Sequence, residues 1–369
     1  MPTVSTLTQY LDKPSFCNYF FSFMDMFNCF KFSSVKLFVK LFLLVFISSG
    51  FKPKSYKREQ INGFAQGTTY SIVYYTQDKK IDKVKIDSIL KSIDLSMSLY
   101  TPHSVISKFN LYETKEIELD NHFKKVMEKS FLLYKESKGV FDVTVEPLVR
   151  LWGFGSKKVS RLPNQKEIDS VLQYVGMDKL KLQGNKLIKV KDGVKVDLNG
   201  IAQGYSVDVL ADYLESQSIR HYVIEIGGEL RIKGPKPDGS AMKIGIEKPE
   251  KEALENELMK DIIHINSGAI TTAGNYRKFI QQNDKTISHH INPKNGQPFS
   301  GEIISATIYA KDAISADGYD NVIISMKADE AIGFANKHPH LELYLIYKDK
   351  TGMIKDTLST GFKKLLKAQ

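Results

Sequence analysis

Cysteine is almost absent from this chain: of its 369 residues only Cys17 and Cys29 are cysteine, both near the N-terminus. A disulfide framework, a thiolate metal site and a thiol nucleophile are therefore excluded from the body of the protein. Long apolar runs are scarce as well. LFLLVFI at 41–47 falls far short of the roughly 20 apolar residues that a membrane-spanning helix needs. Internal repeats and low-complexity tracts are missing, which removes repeat arrays and fibrous architectures. The formal net charge is +10, but residues 1–60 carry eight basic against three acidic side chains, so half of the excess sits there. Beyond them both signs are interspersed. No Lys/Arg stripe with interleaved aromatics occurs, and a nucleic-acid surface is discounted.

What is present is ordinary soluble material. Hydrophobic residues make up 42% and charged residues 25%, the balance of a globular protein. The length suits one large domain or two small ones. Residues 1–50 read as a leader. Lys36 and Lys40 flank the apolar run 41–47, and Ser48-Ser49-Gly50 follow, the make-up of a bacterial secretory signal. The implied location is the periplasmic side of the inner membrane, with the leader cleaved or kept as an anchor. Translation from Met24 or Met26 would remove the odd stretch ahead of the run; a buried hydrophobic helix of the fold is the alternative reading. Phe51 stands where a lipoprotein would need cysteine. Residues 51–62 are polar and read as a linker, and 63–369 as the body.

In the body, GTTYSIVYYT (67–76) alternates and is rich in β-branched and aromatic residues, so it predicts a strand. Helical spacing predicts helices over 81–100, 121–138, 164–174, 202–216 and 313–337. Strands are expected in the hairpin-like 180–190, at 194–198, twice within 221–234 around Gly227-Gly228, and at 243–247, 264–272, 278–282, 304–310 and 341–347. Helices and strands mix without regular βαβ alternation, which points to an α+β domain with a mixed β-sheet core and flanking helices.

Several clusters are polar or glycine-rich where a plain core would be apolar. Asp197 ends an expected strand, and a small-residue turn, LNGIAQG, opens the helix after it. A helix N-terminus of this kind offers free N–H groups and a positive dipole end, which suits phosphate. Asp197 could instead cap that helix. Asp317 and Asn321, four apart, share a helix face; such oxygen ligands suit a hard cation, although polar pairs at this spacing also occur on solvated faces. Gly227-Gly228 reads as a turn or bulge before a ligand cradle. His289-His290, taken alone, reads as an ordinary exposed pair, and Trp152 as a core or flap residue.

Together and in order, the clusters resemble the ApbE family of FAD:protein FMN transferases over about residues 64–365. The matching stretches are Tyr100 to Asn110, Gly139 to Gly155 (GVFDVTVEPLVRLWGFG), Asp197 to Asp208, Ile226 to Arg231, and His289 to Pro298. The resemblance implies FAD as substrate, with its flavin ring against Tyr100 and near Gln66. It places Val140, Phe141 and Asp142 at the adenine or ribose end, Asp197 and Gln203 beside the nucleotide, and Ile291 packed next to it. Mg²⁺ would be held by the Gly200 carbonyl, Asp317 and Asn321, and His289, with His290 as the lesser choice, would be the general base. The partner implied is an acceptor flavoprotein, a subunit of a membrane redox complex, presenting a Thr or Ser hydroxyl. Hydrolysis of FAD at the same site and a non-catalytic flavin-binding module are the alternatives. Three positions depart from the family pattern: Gln203 replaces lysine or glutamate, Asn321 replaces threonine, and Ala273 replaces serine.

Overall fold

The stretch that reads as a linker becomes a strand from Lys57 onward. β1 (Lys57–Ala65) pairs antiparallel with β2 (Thr68–Thr76). The linker reading failed because Lys57, Arg58 and Glu59 look like loop residues; charge is also how an edge strand avoids pairing with other chains. The computed structural model describes residues 55–155, 159, 161–247, 259–274, 279–282 and 285–367. The leader and most of the 51–62 segment's first half lie outside the described residues. The folded unit runs from Tyr56 to Gln369, and among its described residues no helix is long and apolar enough to cross a membrane.

The main sheet has eight strands. After β1 and β2 come β3 (Tyr222–Ile226), β4 (Glu229–Lys233), β5 (Ser267–Gly274), β6 (Ile303–Ala310), β7 (Glu342–Lys348) and β8 (Ile354–Leu358), and their spatial order repeats their chain order. Every neighbouring pair is antiparallel, as an α+β architecture without crossover units requires. Alternate residues face opposite ways. Tyr222, Ile224 and Ile226 join the larger core under the helices, whereas Val223 and Ile232 face a second core with Ile263, Ile265 and Phe362. The helices over the first face are α1 (Lys83–Met97), α2 (Asn121–Glu136), α3 (Ala202–Ser216) and α4 (Ala313–Ile323). Asp82 and Asp120 cap α1 and α2 by accepting from the Val84 and Phe123 amides, each at 2.9 Å, which satisfies donors that a helix start leaves open.

Three elements differ from expectation: the strand expected over 264–272 is two, Met259–Ile265 and Ser267–Gly274, in different sheets. The helix expected over 313–337 is split: α4 ends at Ile323, and Ala328–Ala335 starts afresh. At the new start the Ala328 amide donates to Glu302 Oε1 at 2.8 Å, a tertiary bond that spacing does not reveal. The segment 194–198 is extended but belongs to no sheet. The Asn110 side chain takes the place of a neighbouring strand: its Nδ2 donates to Val196 O and its Oδ1 accepts from Val196 N, both at 2.8 Å. The next amide, Asp197 N, donates to Val143 O at 2.7 Å. Because Val196 is fully buried, Asn110→Ala orphans two backbone groups. Urea unfolding should show a loss of about 2 kcal/mol or more, with Asn110→Asp, which keeps the acceptor, losing less than Ala.

Candidate active site

α3 and α4 cross at a glycine. A Cβ on Gly204 would lie 2.3 Å from Ala313 O and 2.6 Å from Asp317 Cβ, so no other residue permits this approach. At the crossing the Gly204 amide donates to Asp317 Oδ2 at 2.7 Å. Asp317 is 4% exposed. Burial pushes its carboxyl up to about 7, against the Gly204 bond and with help from Asp208. Asp320 is buried too, and burial, then Asp317 and Glu229, hold it well above the usual carboxylate range. Carboxylate oxygens of Glu229, Asp317 and Asp320 lie within 4.8 Å of one another. Thr271 donates its hydroxyl to Glu229.

Asn321 completes the group. Its Nδ2 faces Gly200 O at 3.2 Å and Asp320 Oδ1 at 2.6 Å, while its Oδ1 meets His290 Nδ1 at 3.3 Å. The structure therefore brings Gly200, Asp317 and Asn321 together, and adds Glu229 and Asp320, which sequence reasoning missed. Glu229 lay within the Ile226–Arg231 match and Asp320 stands three residues after Asp317; both signals were available. This set of hard oxygen donors fits Mg²⁺. A half-turn of the Asn321 amide would face its oxygen to Gly200 O, at the cost of the Asp320 contact.

The start of α3 gathers three turns. Ile201 itself offers no capping side chain, and the first-turn amides are largely engaged within the protein: Ala202 N donates to Leu198 O at 2.9 Å and Gly204 N to Asp317 Oδ2. Gln66, in the β1–β2 turn at φ +52°, donates from Nε2 to Ser206 Oγ at 2.7 Å, and its buried Oε1 has no partner among the described residues. Gly227-Gly228 is the β3–β4 turn, with φ of +61° and +105°, the pattern of a two-residue hairpin loop. A Cβ on Gly227 would sit 3.3 Å from Gln203 Nε2, so Gln203 lies between the turns and the helix. Tyr100 stands on the turn after α1, 68% exposed. Among the described residues no hydrogen bond ties its side chain to α3.

The other expected contacts are more structural. Asp142 Oδ1 accepts from Thr144 N and Thr144 Oγ1 at 2.7 and 2.5 Å, and Oδ2 accepts from Met177 N at 3.2 Å; both oxygens brace the chain. Phe141 belongs to the main core and Val140 is half-buried. Asp197 does not cap α3. Its Oδ1 accepts from Asn199 N at 2.8 Å, shaping the turn into Gly200, and burial pushes it up to about 6. Ile291 packs with Leu148, Trp152 and Ile168 in a satellite core, and Trp152 Nε1 donates to Gly296 O at 2.8 Å, so Trp152 is a core residue. The rings of His289 and His290 lie 3.9 Å apart. His290, the buried one, is the histidine that reaches Asn321, while half-buried His289 lies edge-on to Phe154 at 6.2 Å.

The raised carboxyls have a consequence. Asp317 titrates at about 7, and Asp197 and Asp208 at about 6, in the folded chain, against about 4 when unfolded. The folded state then binds more protons than the unfolded state between those values, so stability falls as pH rises. Thermal midpoints in chelator should decline from about pH 4 to about pH 7 and level off above it. Saturating Mg²⁺ should restore most of the loss at the upper end, because a cation favours the ionised carboxylates.

The chain is similar to known proteins in sequence and in fold. The sequence model of the ApbE family matches residues 66–345. A FAD:protein FMN transferase of Vibrio cholerae is 35% identical over 321 residues, covering 85% of this chain and 94% of that protein. Another, of Haemophilus influenzae, is 34% identical over 324 residues, covering 85% and 92%. The solved flavin transferase ApbE from Vibrio cholerae superposes with a TM-score of 0.76 at 33% identity, covering 85% of this chain and all of that one. The apo form of the Pseudomonas stutzeri flavinyl transferase ApbE gives 0.76 at 28% identity, with 85% and 98% covered.

Proposed function

This chain belongs to the ApbE family, and on that premise we propose that it moves the FMN half of FAD onto a Thr or Ser hydroxyl of an acceptor flavoprotein, with Mg²⁺, releasing AMP. The observation that carries this reading is the meeting, at the start of α3, of the oxygen set of Gly200, Asp317 and Asn321 with the Gln66 and Gly227-Gly228 turns. A diphosphate needs both a donor-rich cradle and charge compensation.

The acceptor oxygen attacks the FMN-side phosphorus, and the bond to the AMP phosphate breaks. When bound, Mg²⁺ supplies charge neutralisation at the diphosphate oxygens. The positive dipole end of α3 orients the phosphates. Gln66 Oε1, buried and without a partner among the described residues, is set to accept a hydrogen bond from the flavin, and exposed Tyr100 offers a face for its ring. The hydroxyl proton goes to His289, whose type titrates near neutral pH. His290, against Asn321, is the second candidate for that role. Incubation with FAD, Mg²⁺ and a Thr-containing acceptor peptide tests the reading by intact mass. A gain equal to an FMN phosphoester supports it; AMP release without that gain would mean hydrolysis.

Export belongs to the same proposal. Lys36, Lys40 and the run 41–47 support a periplasmic location beside a membrane redox complex that supplies the acceptor. Finding the full-length protein in the cytosol on cell fractionation would sink this part.

A further inference from the structure

α3 is tied to α4 at two points one turn apart, and only one of them lies at the cation site. At Gly204 the helix gives a proton, to Asp317 Oδ2. At Asp208 it takes two: the carboxylate accepts from Ala313 N and Ile314 N, each at 2.9 Å. These are the first amides of α4. The N-cap residue Asp312 does not serve them, because its side chain accepts from Ser315 N at 3.1 Å and from the Ser315 hydroxyl. Asp208 is itself held from the sheet. Arg231 Nε lies 3.7 Å from Asp208 Oδ1, and Arg231 Nη1 donates to Lys311 O, just ahead of the cap. Arg231 follows Glu229 by two residues on β4 and so shares its face of the sheet.

We propose that Asp208, seated by Arg231, is a positioning residue that fixes the register of α4 on α3 and thereby sets the cation affinity of the site. Contacts at Gly204 and Asp208 together fix both the slide and the rotation of α4, which one contact alone does not. Asp317 and Asn321 both ride on α4, and their oxygens must meet the Gly200 carbonyl from the turn ahead of α3. Mg²⁺ demands near-ideal octahedral geometry, so a small slip of α4 costs affinity without removing a ligand. The inference rests on the reading that Gly200, Asp317 and Asn321 hold the cation.

The test measures Mg²⁺ affinity without FAD, by calorimetry, together with hydrogen exchange at the Ala313 and Ile314 amides. Asp208→Asn keeps size and loses the charge and one acceptor oxygen. It should weaken Mg²⁺ binding about tenfold or more and speed exchange at both amides by a similar factor. Arg231→Lys, which keeps charge but not the guanidinium fork, should weaken binding about threefold. Val207→Ala, a buried core change on the same helix, is the control for lost stability and should leave Mg²⁺ affinity within about twofold of native. Native affinity in Asp208→Asn overturns the proposal, as does an equal loss in Val207→Ala. If Asp208→Asn does not fold, native affinity in Arg231→Lys overturns it instead. A native protein that binds no Mg²⁺ overturns the cation-site reading and this inference with it. A native protein that binds Mg²⁺ alongside unaffected variants overturns the positioning role alone.

Discussion

Asp317→Ala should lower AMP release from FAD by about a hundredfold or more. On the proposed function, the substitution removes a charged ligand from a hard cation and leaves diphosphate charge uncompensated, a loss of several kcal/mol of transition-state stabilisation. Asn321→Ala should cost less, because water can replace a neutral amide, and Asn321→Thr should stay active. Asp317→Asn separates charge from shape. It keeps an acceptor for the Gly204 amide and removes a carboxylate that burial holds near 7. In chelator at pH 8 this variant should be more stable than the native chain by on the order of 1 kcal/mol or more, while its activity collapses. A solvated polar face would behave otherwise, with changes of about half a kcal/mol or less and native turnover. Native rates with native Mg²⁺ dependence in Asp317→Ala would remove the cation assignment.

Gly204→Ala should be as severe, by a different route. The added methyl would meet Ala313 O at 2.3 Å and Asp317 Cβ at 2.6 Å, and both neighbours are fixed by the helix that bears them. Backbone cannot yield as a flexible side-chain tip does, so α4 must move away from α3. Overpacking of this kind costs about 3 kcal/mol or more, and the same movement breaks the Gly204–Asp317 bond. The expected result is a chain that unfolds at markedly lower urea and, where folded, has lost its cation-dependent thermal shift. Native stability with intact Mg²⁺ response would show that the two helices have slack at the crossing.

The α+β class was legible because strand and helix signals came without regular alternation, and the Gly227-Gly228 turn because two adjacent glycines permit positive φ. Spacing put Asp317 and Asn321 on one helix face, four residues being about one turn, but their metal role came from the family resemblance. Long-range substitutions of one group for another were not legible. Nothing in the spacing says that Asn110 stands in for a strand beside Val196, or that Asp197 shapes a turn and leaves α3 without a cap. Glu229 was legible only as a member of the Ile226–Arg231 match; that its carboxylate stands beside Asp320 needed the folded sheet. That His290 is the histidine reaching Asn321 also needed coordinates.

The sheet's strands follow one another in space as in the chain, yet residues 77–221 intervene between β2 and β3. Those residues supply α1, α2 and α3 before the chain returns to the neighbouring strand. Closing so large a loop costs entropy that no local turn defrays, and sheets closed this way form late. The remaining strands, from β3 onward, are joined by shorter connections and have no such barrier. Gln66 waits on one side of the closure, Glu229 and Asp317 on the other, so the cleft exists only once that seam is shut. A chain still being synthesised therefore presents no assembled cleft, and any chemistry there is confined to finished molecules by the order in which the polypeptide completes itself.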